Sequence, residues 1–218
     1  MPQPRYPIKA SSQASLLSIV QREIAEYGNH CSLNHIDVSQ VSDMNSIFER
    51  SEFNGDISQW DTRQVQNMSF LFYKSAFNGD ISKWKTGRVW TMERTFAYSK
   101  FNNDISEWNT GEVINMSGMF VESLFNGDIS KWDVSSTVKM QDLFRGGLFN
   151  KEISKWNTAN VRFMNRIFFN CPFDGDITEW KLHANLNYNE IKNHYERSKL
   201  KSISNNLGVK TSHTTTAL

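Results

Sequence analysis

Large apolar side chains recur along most of this chain with a period of 24 residues. Phe53, Phe77, Phe101, Phe125, Phe149 and Phe173 hold one phase, and Ile57, Ile81, Ile105, Ile129, Ile153 and Ile177 follow. Trp60, Trp84, Trp108, Trp132, Trp156 and Trp180 hold a third. Later in each unit come Met68, Met92, Met116, Met140 and Met164, then Phe72, Phe96, Phe120, Phe144 and Phe168. An earlier, degenerate unit fits the frame through Leu33, Ile36, Asp37, Val41, Met44 and Phe48. After Trp180 the pattern lapses, with Tyr188 and Lys192 at the Met and late Phe positions. A period of this length marks a supersecondary unit that cannot bury its apolar side alone and must stack on its neighbours.

Within a unit, Val65, Met68 and Phe72 lie at i, i+3 and i+7, which predicts a short helix. Thr62 precedes it as an N-cap, echoed by Thr86, Thr110 and Thr158. Phe53-Asn54-Gly55-Asp56 reads as a tight turn in which Asn and Gly take positive φ. Asn103 stands in place of Gly with the same freedom, while Lys151 signals a reshaped turn. Ile57 to Trp60 reads as a very short extended segment. Thr137 takes the Val phase and Val138 falls one residue late, so a local distortion is expected there.

The expected fold class is therefore α/β: a leucine-rich-repeat-like solenoid of about six to seven 24-residue coils. Short parallel strands would line one wall and short helices the other, with helical caps at both ends. The expected divisions are an N-terminal arm (1–11), a capping helix (12–28), the repeat solenoid (29–182), a C-terminal capping helix (183–206) and a disordered tail (207–218). Leu16, Ile19, Val20, Glu23 and Ile24 give the first cap its helical spacing, and Gly28 is placed to end it. Ile191, Tyr195 and Leu200 do the same for the second, more polar cap.

Charge narrows the partners. Lys plus Arg is 24 against 23 Asp plus Glu, a net charge of +1, and no basic run is interleaved with aromatics. Sequence-independent nucleic-acid binding lacks its usual driving force. No stretch approaches the roughly 18 apolar residues of a membrane span, and Leu16 to Val20 is too short for a secretory signal. The chain as written is expected in the cytoplasm, or at the surface if exported by a route without a cleaved signal. Cys31 and Cys171 are separated by several coils and are expected as free thiols.

The units Phe53-Asn54-Gly55-Asp56-Ile57-Ser58-Gln59-Trp60-Asp61-Thr62 and Val113-Ile114-Asn115-Met116-Ser117-Gly118-Met119-Phe120 resemble the BspA-type leucine-rich-repeat family of bacterial surface proteins. The resemblance covers roughly residues 12 to 182. It implies a leucine-rich-repeat-like fold and, in secreted members, adhesion to host or extracellular proteins. It brings no catalytic residues.

Other rows have two readings. Asp56, Asp80, Asp104, Asp128, Glu152 and Asp176 would stack one per coil, either binding hard cations or accepting N–H bonds from their own turns. Ser58, Ser82, Ser106, Ser130, Ser154 and Thr178 form a hydroxyl row with no His in phase to act as base, so no catalytic residue is assigned. His30, Cys31 and His35 form a sparse cluster near the first cap, below the standard of a metal site. His183 and His194 are isolated, and no cofactor is expected.

Positions that break the repeat are more informative. On the helical face the variable sites read Gln66, Phe70, Tyr73, then Trp90, Arg94, Ala97, then Ile114, Gly118, Val121. The next units turn charged, with Asp142, Arg145, Arg162 and Arg166. Trp90 has no counterpart in phase, so the core does not require it. Phe70, Tyr73, Trp90, Arg94, Ile114 and Val121 are the candidate partner-binding residues, because exposed aromatics rimmed by Arg form binding hot spots. The function expected is non-enzymatic recognition of a protein, adhesin-like or directed at one specific partner. The alternative is an intracellular immunity protein that neutralises a cognate toxin.

Overall fold

In the computed structural model, which describes residues 6–183 and 186, the 24-residue period is carried by hydrogen bonds between successive units. Isolated parallel bridges join Asp43 to Asn67, Asn67 to Thr91, Thr91 to Asn115, Asn115 to Lys139 and Lys139 to Phe163. Each unit thus lies directly on the one before it, in the same direction.

The rows fixed in phase point inward. Rings of the early Phe row stack at 6.2 Å between Phe53 and Phe77, and at 6.3 Å between Phe77 and Phe101. The late Phe row does so at 5.5 Å for both Phe48–Phe72 and Phe72–Phe96. The two ladders interleave, as in Phe120–Phe125 at 4.2 Å and Phe144–Phe149 at 4.0 Å. Stacked rings of this kind each add about 0.5–1.5 kcal/mol beyond area burial. Every Trp of the row is buried and still satisfies its indole N–H, which donates to a carbonyl of the preceding unit. Trp84 Nε1 donates to Ile57 O at 3.1 Å, and Trp108 Nε1 to Ile81 O at 3.1 Å.

The short helices expected over the Met–Phe segments are not formed. Met68, Phe70, Phe72 and Lys74 donate their N–H groups to Thr91, Glu93, Thr95 and Ala97 of the following unit, at 2.8–3.0 Å. The intervening Leu71, Tyr73 and Ser75 close turns onto Met68, Phe70 and Phe72, at 3.0–3.2 Å. A helix needs each N–H for the carbonyl four residues back; stacking takes every second one instead. Two residues per unit turn left-handed to allow this: Phe70 and Lys74 (φ 58° and 55°), then Arg94 and Tyr98 (52° and 58°). This wall is a run of turns, and the parallel bridges from Asp43 to Phe163 lie on it, while Ser32 bridges Asp56 in the carboxylate phase. The expected extended segment from Ile57 to Trp60 is also a turn, closed by Trp60 N on Ile57 O at 3.3 Å.

Thr62 does not cap a helix. Its hydroxyl donates to Lys85 O at 3.1 Å and accepts from Lys85 N at 2.8 Å, tying one unit to the next. The expected distortion at Thr137 is absent. Val134 is buried in the Thr phase and Thr137 in the Val phase, a swap that leaves the Thr137 N to Val134 O turn at 3.0 Å. The Thr137 hydroxyl is satisfied by Val113 O at 2.9 Å.

The Asn-Gly turn also works differently from the expectation. Gly55, Gly79 and Gly127 are not at positive φ, and neither is Asn103. Glycine is used for room: a Cβ at Gly127 would sit 2.8 Å from the Phe125 ring. The preceding Asn carries the stacking bond. Asn54 Oδ1 accepts from Asn78 N at 2.8 Å, Asn78 from Asn102 N at 2.9 Å, and Asn102 from Asn126 N at 2.7 Å.

At the N-terminal end α1 spans Gln13–Tyr27, with Ser12 as N-cap and Gly28 (φ 84°) at its C-terminus. It buries Leu16, Ile19, Val20 and Glu23 over the first unit, and Gln13 Nε2 donates to Asn45 O at 2.9 Å. Part of the expected N-terminal arm is structured: β1 (Ile8–Lys9) pairs in parallel with β2 (Ile36–Asp37). The expected C-terminal capping helix and tail lie outside the described residues, apart from His183 and Leu186.

Candidate functional site

The turn wall sends side chains outward wherever its backbone leaves the inward phase. Residues 66, 90, 114, 138 and 162 form one row, each N–H bonded to the carbonyl 24 residues earlier: Trp90 N to Gln66 O at 3.0 Å, then Ile114 to Trp90, Val138 to Ile114 and Arg162 to Val138, each at 2.9 Å. Trp90 is 48% exposed and Ile114 46%, far above the interior tryptophans at 3–4%. Val138 is half-buried, and Gln66 and Arg162 are exposed.

A second cluster lies where the left-handed residues point. Phe70 and Tyr73 are half-buried and meet edge to face at 5.6 Å; Tyr73 meets Tyr98 the same way, also at 5.6 Å. Lys74 Nζ lies 5.4 Å from both tyrosine ring centres, a surface cation–π arrangement. Arg94 is exposed and lies along Gly118, where a Cβ would be 3.2 Å from its Cγ. A side chain at Gly118 would crowd the arginine.

The structure thus places Phe70, Tyr73, Trp90, Arg94 and Ile114 on the outer wall. Val121 is withdrawn from the set: it is 2% exposed and packs within reach of Gly118. Helical spacing put it outside, but this wall has no helix. Sequence reasoning missed Lys74 and Tyr98, which share the second left-handed phase, and Phe163, which is 50% exposed beside Arg162. Gly146 and Asn170 in the Lys74 phase, and Gly118 in the Phe70 phase, were the available sign of left-handed backbone there.

Toward the C-terminal end the wall becomes charged. Asp142 pairs with Arg166 at 2.7 Å and approaches Arg145 Nε at 3.1 Å. Lys139 and Arg162 are exposed, with no carboxylate at ion-pairing distance among the described residues.

The carboxylate row has a different use. Asp80 Oδ1 and Asp128 Oδ1 accept from Ser82 N and Ser130 N, both at 2.9 Å, and the same arrangement holds from Asp56 to Asp176. The turn served is the one after each carboxylate, not the Asn-Gly turn before it. Those backbone N–H groups, with the serine hydroxyls, hold Asp80 and Asp128 below the usual carboxylate range. Among the described residues no three His, Cys, Asp or Glu side chains gather as a metal site. His35 Nε2 lies 3.0 Å from Glu23 Oε2, and His30 Nδ1 3.4 Å from Asn54 O, so the two histidines engage different partners. His194 lies outside the described residues. Both cysteines are free, and burial pushes the Cys171 thiol up to about 11. No helix among the described residues is long and apolar enough to cross a membrane.

A family model described as "Mycoplasma protein of unknown function, DUF285" matches the chain twice, over residues 22–123 and 97–206. No curated protein and no solved structure matches it.

Proposed function

The chain belongs to the DUF285 family of Mycoplasma proteins, and from that premise we propose that it is a non-enzymatic protein-recognition module working through its turn wall. The architecture is, in this reading, a solenoid akin to leucine-rich repeats, with turns in place of the helices. The observation that carries the proposal is the Trp90–Ile114 pair. Both stand in a row whose side chains the core does not need, and both are about half exposed. Trp and Tyr dominate binding hot spots, and Phe70, Tyr73 and Tyr98 extend the patch. The resemblance to bacterial surface repeats favours an adhesin-like role among the possible recognition tasks.

The test is capture from host material by the tagged protein, in parallel with Trp90→Ala and Tyr73→Ala. The expected result is one stoichiometric protein retained by the wild type and lost, or held at least about tenfold more weakly, by each variant. Capture unchanged by both substitutions would overturn the reading. A partner at the cell surface supports adhesion; an intracellular toxin as partner would replace it with the immunity role.

A further inference from the structure

The charge of the outer row has a direction. The row Gln66, Trp90, Ile114, Val138, Arg162 is apolar through its middle and ends on a cation, and Lys139 lies next to Val138. Asp142 engages Arg145 and Arg166, whereas Lys139 and Arg162 are exposed and unneutralised among the described residues. Units spaced by about 4.8 Å put roughly 19 Å between the ends of the row, the reach of about six residues of extended chain.

Resting on the recognition reading above, we propose that the segment bound by this wall is an extended acidic polypeptide lying along the stack. Its apolar side chains seat on Trp90, Ile114 and Val138, and its carboxylates face Lys139 and Arg162. Charge complementarity selects this occupant. A nucleic acid would need cations along the whole row to match its phosphates, and in this row the cation is Arg162, with Lys139 next to Val138, while Lys74 and Arg94 stand in the separate left-handed phases. Electrostatics of this kind sets specificity and orientation, while the apolar half supplies most of the affinity.

The experiment is selection of a random dodecapeptide display library against three forms of the full chain: wild type, Lys139→Glu/Arg162→Glu, and Trp90→Ala. All three substitutions are at exposed positions, and matched thermal melts check that the fold is kept. Wild type should select peptides with Asp or Glu to one side of Leu, Phe or Trp. The charge-reversed form should select Lys or Arg in their place and bind the wild-type peptides roughly tenfold more weakly. Trp90→Ala should lose enrichment. The same consensus from wild type and the charge-reversed form, no enrichment by wild type, or preferential binding of a uridine oligonucleotide would each overturn the proposal. Partner capture lost in Trp90→Ala alongside a charge-indifferent consensus sinks this inference alone. Capture untouched by both Trp90→Ala and Tyr73→Ala sinks the recognition reading beneath it.

Discussion

Trp108 is 3% exposed, packs 5.9 Å from Phe96 and donates its indole N–H to Ile81; Trp90, in the outer row of the preceding unit, is 48% exposed. Period alone separates the two, since Trp108 has five partners in phase and Trp90 none. Trp108→Ala should cost about 3–5 kcal/mol in urea unfolding, and Trp90→Ala should stay within about 0.5 kcal/mol. Glycine was legible as necessary but for the wrong reason, because sequence does not distinguish a need for positive φ from a need for room. The two needs predict different outcomes. A Cβ at Gly55 would lie 2.0 Å from the Cys31 carbonyl, which is backbone, whereas at Gly127 the obstacle is the Phe125 ring at 2.8 Å. Gly55→Ala should therefore destabilise by about 1–3 kcal/mol and Gly127→Ala by clearly less, measured by the same unfolding curves.

At the scale of elements, α1 was legible because its apolar spacing and Gly28 depend on nothing outside it. Ser12 accepts from Ser15 N at 3.2 Å, so Ser12→Ala should lower stability by up to about 1 kcal/mol. The turn wall was not legible as turns. Val65, Met68 and Phe72 have helical spacing, and the bonds that defeat the helix go to residues a whole unit away. Half of the left-handed residues there are Phe, Arg, Lys or Tyr, which local preference would not place at positive φ. The carboxylate row makes a pH prediction at this scale. Asp80 and Asp128 are held below their unfolded values, so the stability they add is present above the ordinary carboxylate range and lost as pH falls through their folded values. Thermal melts should be insensitive to this row from neutral pH to about 5 and fall below about 4. Asp80→Asn/Asp128→Asn keeps the acceptors but not the titration, and should lose less stability than wild type on acidification.

Across the described residues, the apolar rows that keep the period build the interior, and the residues that break it supply the outer wall's character. Phe, Ile, Trp and Met rows were readable at once because stacking repeats one environment in every unit. The exposed patch was readable in part: Trp90 and Ile114 stand out by losing phase, while Tyr98 joins Tyr73 through a left-handed position, and Val121 is turned inside. Seven tryptophans, six interior and one on the wall, make the claim measurable in a single spectrum. The measurement is fluorine NMR of fluorotryptophan-labelled protein titrated with the captured partner, with Trp90 assigned through Trp90→Phe. The account predicts that the Trp90 resonance moves or broadens at stoichiometric partner while the six interior resonances keep their positions. A bound complex in which Trp90 stays unshifted would contradict it.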